Sequence, residues 1–214
     1  MILKNSLNYL NDFFAFLNIK FRQFYLNSKL YNNKISKVTF NNLEYKPSPS
    51  LLKCLFKYSK EKKNKNIFLF NDIWKNENLS LKDFKNLHSF FWLFSLDLKS
   101  SKKDVQSVIL KWIEKNSDYN ISTWEIDTLS KRVISWISNS RISYEDSNEN
   151  YKSKFDEIIK KQINHLINEI DRSIWVDDKM IGCSAIVLSG IAYNDDNFIN
   201  YGLKLLKKII KLSF

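Results

Sequence analysis

Three glycines and two prolines in 214 residues constrain this chain more than any motif does. Sheet folds built from many short strands need tight turns, and those turns draw on residues that tolerate positive φ. So few glycines point instead to helices joined by short polar loops, and the expected fold class is all-α. The length suits one large helical domain or part of a bigger one. Six Trp, ten Tyr and sixteen Phe supply either a thick core or a surface that stacks on flat ligands.

Apolar spacing divides the chain in two. From Leu3 to about Leu30, Leu7, Leu10, Phe13, Phe14, Leu17 and Phe21 recur at helical spacing. Tyr31 to Pro49 loses that period and reads as an extended connector, so residues 1–46 form an N-terminal helix plus connector. Residues 47–214 begin with a short helix around Leu51 to Tyr58 and a brief apolar run, Ile67 to Phe70, suited to a buried extended segment. Regular helices follow. Ser80 with Asp83, and Ser101 with Asp104, are capping devices. The first opens a helix expected to run through Phe84, Leu87, Phe91 and Phe94; the second opens one whose Val105, Val108, Ile109, Trp112 and Ile113 make a single stripe. Helices are then expected over Trp124–Ile137, Tyr151–Asp171, Met180–Tyr193 and Phe198–Leu212. The third is apolar nearly all round, as an inner helix would be, and the fourth carries lysines on one face, as an outer helix would. Such alternation predicts antiparallel helix hairpins in a curved α/α array, a toroid or a solenoid. The ending Ile209-Ile210-Lys211-Leu212-Ser213-Phe214 has neither a glycine stop nor a polar tail, which leads us to expect further helices downstream.

The formal charge of +11 suits an anionic partner, but lysine is spread along the whole chain and forms no focused stripe with base-stacking aromatics. Nucleic acid is therefore not expected. Cys54 and Cys183 have no metal-type spacing, and Cys183 lies in an apolar helix that belongs to the core. Neither a metal site nor a cofactor motif is seen: glycine-rich phosphate loops and nucleophile elbows are lacking. No run suits a membrane span. Asn8, Asn11, Asp12 and Asn18 interrupt any secretory signal, so the chain as written is expected in the cytoplasm, and in the periplasm only if its N-terminus is incomplete.

The most informative residues are Asn86-Leu87-His88 with Trp92, then Trp112-Ile113, Trp124-Glu125-Ile126-Asp127 and Arg132-Val133-Ile134-Ser135-Trp136, followed by Gln162-Ile163-Asn164-His165-Leu166. In order and spacing, from about Pro47 to Phe214, they resemble the N-terminal region of bacterial heparinase II/III polysaccharide lyases. The resemblance implies an incomplete α/α toroid, followed in complete members by a β-sandwich. It also implies an acidic, uronic-acid-containing polysaccharide or oligosaccharide as partner. Lyases of this type cleave by β-elimination, which needs a group neutralising the sugar carboxylate, a base for the carbon-bound proton and an acid for the leaving oxygen. The family opens one inner helix with an Asn-His pair. This chain has Asp178-Lys179 there, and no catalytic residue is assigned.

Asn86, His88, Trp124 and Arg132 are the candidate substrate-binding residues, because amide, imidazole, aromatic face and guanidinium together suit a carboxylated sugar. The residues leave other roles open. A helical histidine also serves as a hydrogen-bonded structural group, and Trp124 and Trp136 lie on an apolar stripe suited to core packing. His165 reads as structural. The alternative function is a non-catalytic helical scaffold that binds a protein partner on its concave face. Oligomeric state is not legible.

Overall fold

The computed structural model of the chain describes residues 2–37, 42–44, 74, 79–96 and 101–213, with side chains from residue 13 and up to 211 in the terminal helices. The described residues contain nine α-helices and no strand: α1 (Ile2–Leu26), α2 (Lys29–Ser36), α3 (Leu81–His88), α4 (Lys102–Asn116), α5 (Ile126–Ser138), α6 (Ser140–Ser143), α7 (Glu149–Glu169), α8 (Val176–Tyr193) and α9 (Asp196–Ser213). The all-α expectation is met. The helix expected at Leu51–Tyr58, the apolar run at Ile67–Phe70 and Cys54 lie outside the described residues.

Both capping devices form. Ser80 Oγ accepts the Asp83 amide at 3.2 Å, and Ser101 Oγ accepts the Asp104 amide at 3.3 Å. Asn148 does the same for α7, accepting from Tyr151 at 2.8 Å. Two expectations about extent require correction. The connector expected from Tyr31 is helical up to Ser36: Ser28 interrupts the first helix and caps a second, accepting the Tyr31 amide at 3.2 Å. The helix from Ser80 stops at His88, because Phe90 takes a left-handed φ of 54° and Phe91–Ser95 tighten into a 3₁₀ turn. Phe90 is fully buried, and its ring packs between Trp74, Trp92, Trp112 and Trp136, which holds a non-glycine residue in that conformation.

None of the three glycines serves a positive-φ turn. That role falls to Asn194, at φ 54°, which ends α8 while the Asp195 amide returns to the Gly190 carbonyl at 2.8 Å. The glycines instead let helices approach. A Cβ on Gly190 would lie 2.8 Å from the Ile199 amide nitrogen and 2.9 Å from the Asp195 carbonyl oxygen, and one on Gly202 would lie 3.2 Å from the Cys183 carbonyl oxygen.

Contacts fix the helix directions. Trp112 meets Trp136, and Trp124 donates to the Asn116 carbonyl, so α4 and α5 are antiparallel. Pairing of Arg132 with Gln162 and of Trp136 with Phe155 makes α5 and α7 antiparallel. Gly190 against Ile199 and Gly202 against Val187 do the same for α8 and α9. By contrast, α5 and α8 lie side by side in one direction, with Gly182 against Ser130 and Asp178 near Asp127. Helices α4 and α7 also share a direction, Glu114 pairing with Lys154 and Asp118, just past α4, with Lys161, and Tyr201 of α9 donates to the Ile167 carbonyl of α7. Almost every residue of α5 from Thr128 onward is buried. A single apolar core links these helices to Leu26, Tyr31 and Ile35 of the N-terminal segment.

Candidate functional site

Four elements bring the motif residues to one interior point. His88 ends α3, Trp112 lies mid-way along α4, Thr123 and Trp124 precede α5, Arg132 sits one turn and a half into α5, and Gln162 faces them from α7. Arg132 is fully buried. Its Nε donates to Gln162 Oε1 at 3.0 Å, and its Nη1 donates to the His88 and Thr123 carbonyls at 2.9 Å each. The guanidinium lies over the Trp112 ring, 4.1 Å from its centroid.

No carboxylate of a described residue reaches this cation. Asp127 pairs with Lys131 at 2.7 Å, and Glu125 with Lys85 at 2.7 Å. Burial alone holds the Arg132 guanidinium well below its usual pKa, since carbonyl dipoles and an aromatic face replace water without supplying a counter-charge. Its Nη2 makes no hydrogen bond to a described residue.

The neighbouring imidazole is fixed by donor chemistry. Trp112 Nε1–H can only donate, and it donates to His88 Nδ1 at 3.0 Å, so His88 is neutral with its proton on Nε2. Burial, followed by the charges of Arg132 and Lys115, pulls its pKa down to about 3. A matching arrangement lies across the core, where the Tyr31 hydroxyl meets His165 Nδ1 at 2.7 Å. Burial pulls His165 down to about 3 as well, with Arg22 adding and a hydrogen bond to the Trp124 backbone opposing. Both histidines are therefore neutral around pH 7 and inaccessible to a substrate proton.

Of the four residues singled out from the sequence, three come together and one does not. His88, Trp124 and Arg132 are 5%, 1% and 0% exposed, within one closed network. Asn86 is exposed on the outer face of α3. In this arrangement Arg132 offers no surface from which to take a sugar carboxylate. The interior site ties helices together.

Two buried polar groups were not identified from sequence. Tyr31 lay in the presumed connector, and its only signal was the following Ile35, one turn on. Asp156 sits among Phe155, Ile158 and Ile159 on the apolar face of α7, an acid out of place in that stripe. It accepts from Tyr144 at 2.8 Å and from Tyr193 at 2.7 Å, and burial raises its pKa while those two donors oppose the shift.

An open surface lies instead where α3, α5 and α8 begin or end together. Trp175, just before α8, is 67% exposed, and Asp178 accepts from Ser173 Oγ at 3.2 Å. Partial burial, with Asp127 and Glu125 adding, raises the Asp178 carboxyl pKa, while the Ser173 hydrogen bond and then Lys85 oppose the shift. Asp178-Lys179 thus lie on an accessible rim that carries an aromatic face, carboxylates and lysines. Among the described residues no group of three His, Cys, Asp or Glu side chains is placed to hold a metal, and no helix is long and apolar enough to cross a membrane.

The fold and this network define an all-helical protein built on a buried, hydrogen-bonded cation. No protein-family model matches the chain, and neither a curated protein nor a solved structure is detectably similar to it.

Proposed function

We propose that this chain is the N-terminal helical part of a heparinase II/III-like polysaccharide lyase, a segment of its α/α toroid, and that it does not cleave glycan alone. One observation carries the reading: the residues behind the resemblance, His88, Trp112, Trp124, Arg132, Trp136, Gln162 and His165, are all buried in the one core that joins α3, α4, α5 and α7. A motif set whose members lock helices together explains why order and spacing carry the resemblance. The alternation of direction, with α5 and α8 parallel inside and α4, α7 and α9 parallel outside, suits inner and outer rings of a toroid.

β-Elimination needs an accessible base and an accessible acid. Among the described residues both histidines are buried and neutral, four tyrosines, Tyr31, Tyr144, Tyr151 and Tyr193, are buried with pKa values pushed above the ordinary phenol range, and Tyr25, Tyr119 and Tyr201 are half-buried against the core. The rim around Trp175 and Asp178 is where an acidic sugar would meet this part of the wall.

The test is to titrate the chain with heparan-, alginate- and hyaluronan-type oligosaccharides while following indole NMR signals and the ultraviolet absorbance of unsaturated uronic product. The expected result is perturbation of the Trp175 indole, none at Trp112, Trp124 or Trp136, and no product. Turnover by the chain overturns the claim of inactivity, and no response to any acidic sugar overturns the lyase reading. The second reading, a scaffold for a protein partner, is favoured by the exposed aromatic residues of α1.

A further inference from the structure

Among the side chains of α1 that are described, those of its last turn anchor it. Arg22 pairs with Glu169, donating from Nε at 3.2 Å, while Leu26 is buried and Tyr25 packs on the core. Phe13, Phe14, Phe21 and Phe24 are nevertheless 55%, 62%, 70% and 79% exposed, Phe16 and Ile19 are exposed as well, and Leu17 is half-buried. Spacing sets Phe14, Phe21 and Phe24 apart from scattered surface aromatics. Phe14, Leu17, Phe21 and Phe24 follow intervals of three, four and three, and the sequence continues the same alternation backwards through Leu10 and Leu7. That is the 3.5-residue period of a coiled-coil seam, with Leu7, Phe14 and Phe21 at one core position and Leu10, Leu17 and Phe24 at the other. Arg22, Tyr25 and Leu26 fall outside the seam, so docking on the body leaves it open.

We propose that α1 is a self-association element, pairing with α1 of a second copy as an antiparallel two-stranded coiled coil. Area supports this. At about 200 Å² per ring, the three seam phenylalanines and the flanking Phe13 leave roughly 500 Å² open per chain. Two copies therefore bring together about 1,000 Å², the size a specific interface needs, before the leucines are counted. Shape selects the second copy. In the antiparallel register that aligns Phe14 with Leu17, Phe21 meets Leu10 and Phe24 meets Leu7, so each large ring faces a smaller side chain and no two rings collide.

Charge selects the direction. With a net charge of +11, two bodies repel, and an antiparallel pair holds them at opposite ends of a helix about 37 Å long. The flanking positions add no repulsion: Asn11 lies beside Asn18, and Lys20 beside the Phe13 ring of the other copy. Away from the seam α1 exposes Phe16 and Ile19 beside its asparagines, and with Lys4, Lys20 and Arg22 as its only cations it offers an anionic bilayer little charge.

Light scattering and sedimentation of the full chain test the proposal from about 1 to 100 µM. The wild-type mass is expected to rise from one chain to two, more readily at high salt because the repulsion is then screened. The Phe14→Asp/Phe21→Asp variant is expected to stay at one chain with unchanged helical circular dichroism and urea midpoint, since both side chains are exposed in the single chain. Asn11→Glu/Asn18→Lys creates two opposite-charge pairs only in the antiparallel register, and is expected to tighten association about three- to fivefold. A wild-type chain that remains single, or a dimer that survives the two aspartates, overturns the proposal. Binding of the single chain to phosphatidylserine vesicles, lost in the aspartate variant, overturns it in favour of a membrane surface. An unchanged affinity for the Glu/Lys variant overturns the antiparallel arrangement.

Discussion

Arg132 shows how much one residue's role depends on what surrounds it. In sequence it stands one turn before Trp136, three residues from Leu129 and near two acids, a pattern that fits a ligand-binding cation as well as an ion pair. In the fold it is fully buried and pairs with no carboxylate of a described residue. Its donors hold the ends of two other segments, the His88 carbonyl at the close of α3 and the Thr123 carbonyl ahead of α5, and its plane covers Trp112. A planar fork suits this task because it addresses several acceptors from fixed angles, whereas lysine presents a compact, more strongly hydrated charge. Arg132→Lys is therefore expected to destabilise the chain by about 2–4 kcal/mol in urea melts. A loss under about 0.5 kcal/mol would show that the guanidinium does not hold these carbonyls together.

At the level of elements, the closest joint is between α8 and α9. α8 is apolar nearly all round and needs neighbours on several sides, and small residues at Gly182, Gly190 and Gly202 set how near they come. The three positions differ in what an added methyl would strike. At Gly182 it meets the tip of the Ile170 side chain, which can turn aside; at Gly190 it meets backbone of Ile199 and Asp195, which cannot. Gly190→Ala is expected to cost about 2–3 kcal/mol and Gly182→Ala less than about 1 kcal/mol, although alanine is the better helix former at both. Equal effects in thermal melts would show that backbone contact does not limit the joint. The inner character of α8 was legible from its composition. The helical nature of α2 was not, because eight residues rich in Asn and Lys carry little periodicity, and its stability comes from Tyr31 and Ile35 inserting against α7.

For the whole molecule, the buried titrating groups set a pH response. His88 and His165 have ordinary pKa values near 6.5 when unfolded and about 3 when folded, so the unfolded chain binds more protons between these limits. Stability is then fully present above about pH 6.5 and is lost as pH falls toward 3, with a slope of up to roughly 2.7 kcal/mol per pH unit for the two groups together. Asp156 acts the opposite way, because its raised carboxyl pKa makes the folded state bind a proton more readily above pH 3.8. The expected outcome is a steep fall in the urea midpoint between pH 6 and about pH 4, with a shallower slope in His165→Gln. An unchanged midpoint across that range would mean that the histidines are protonated in the folded chain.

The amino-acid sequence by itself determined the all-helical class, the helix starts at Ser80 and Ser101, and the amphipathic faces, because caps and 3.6-residue periods act within a few neighbouring residues. Only the tertiary structure decided that α2 is a helix, that α3 stops at His88, and that Arg132 and His88 point inward while Asn86 points out. Each of those outcomes depends on partners 24 to 134 positions away, such as Trp112 for His88 and His165 for Tyr31. The physical reason is that local pattern sets which face of a helix is apolar, whereas the water or protein that finally covers a polar group on that face is supplied by distant segments of the chain.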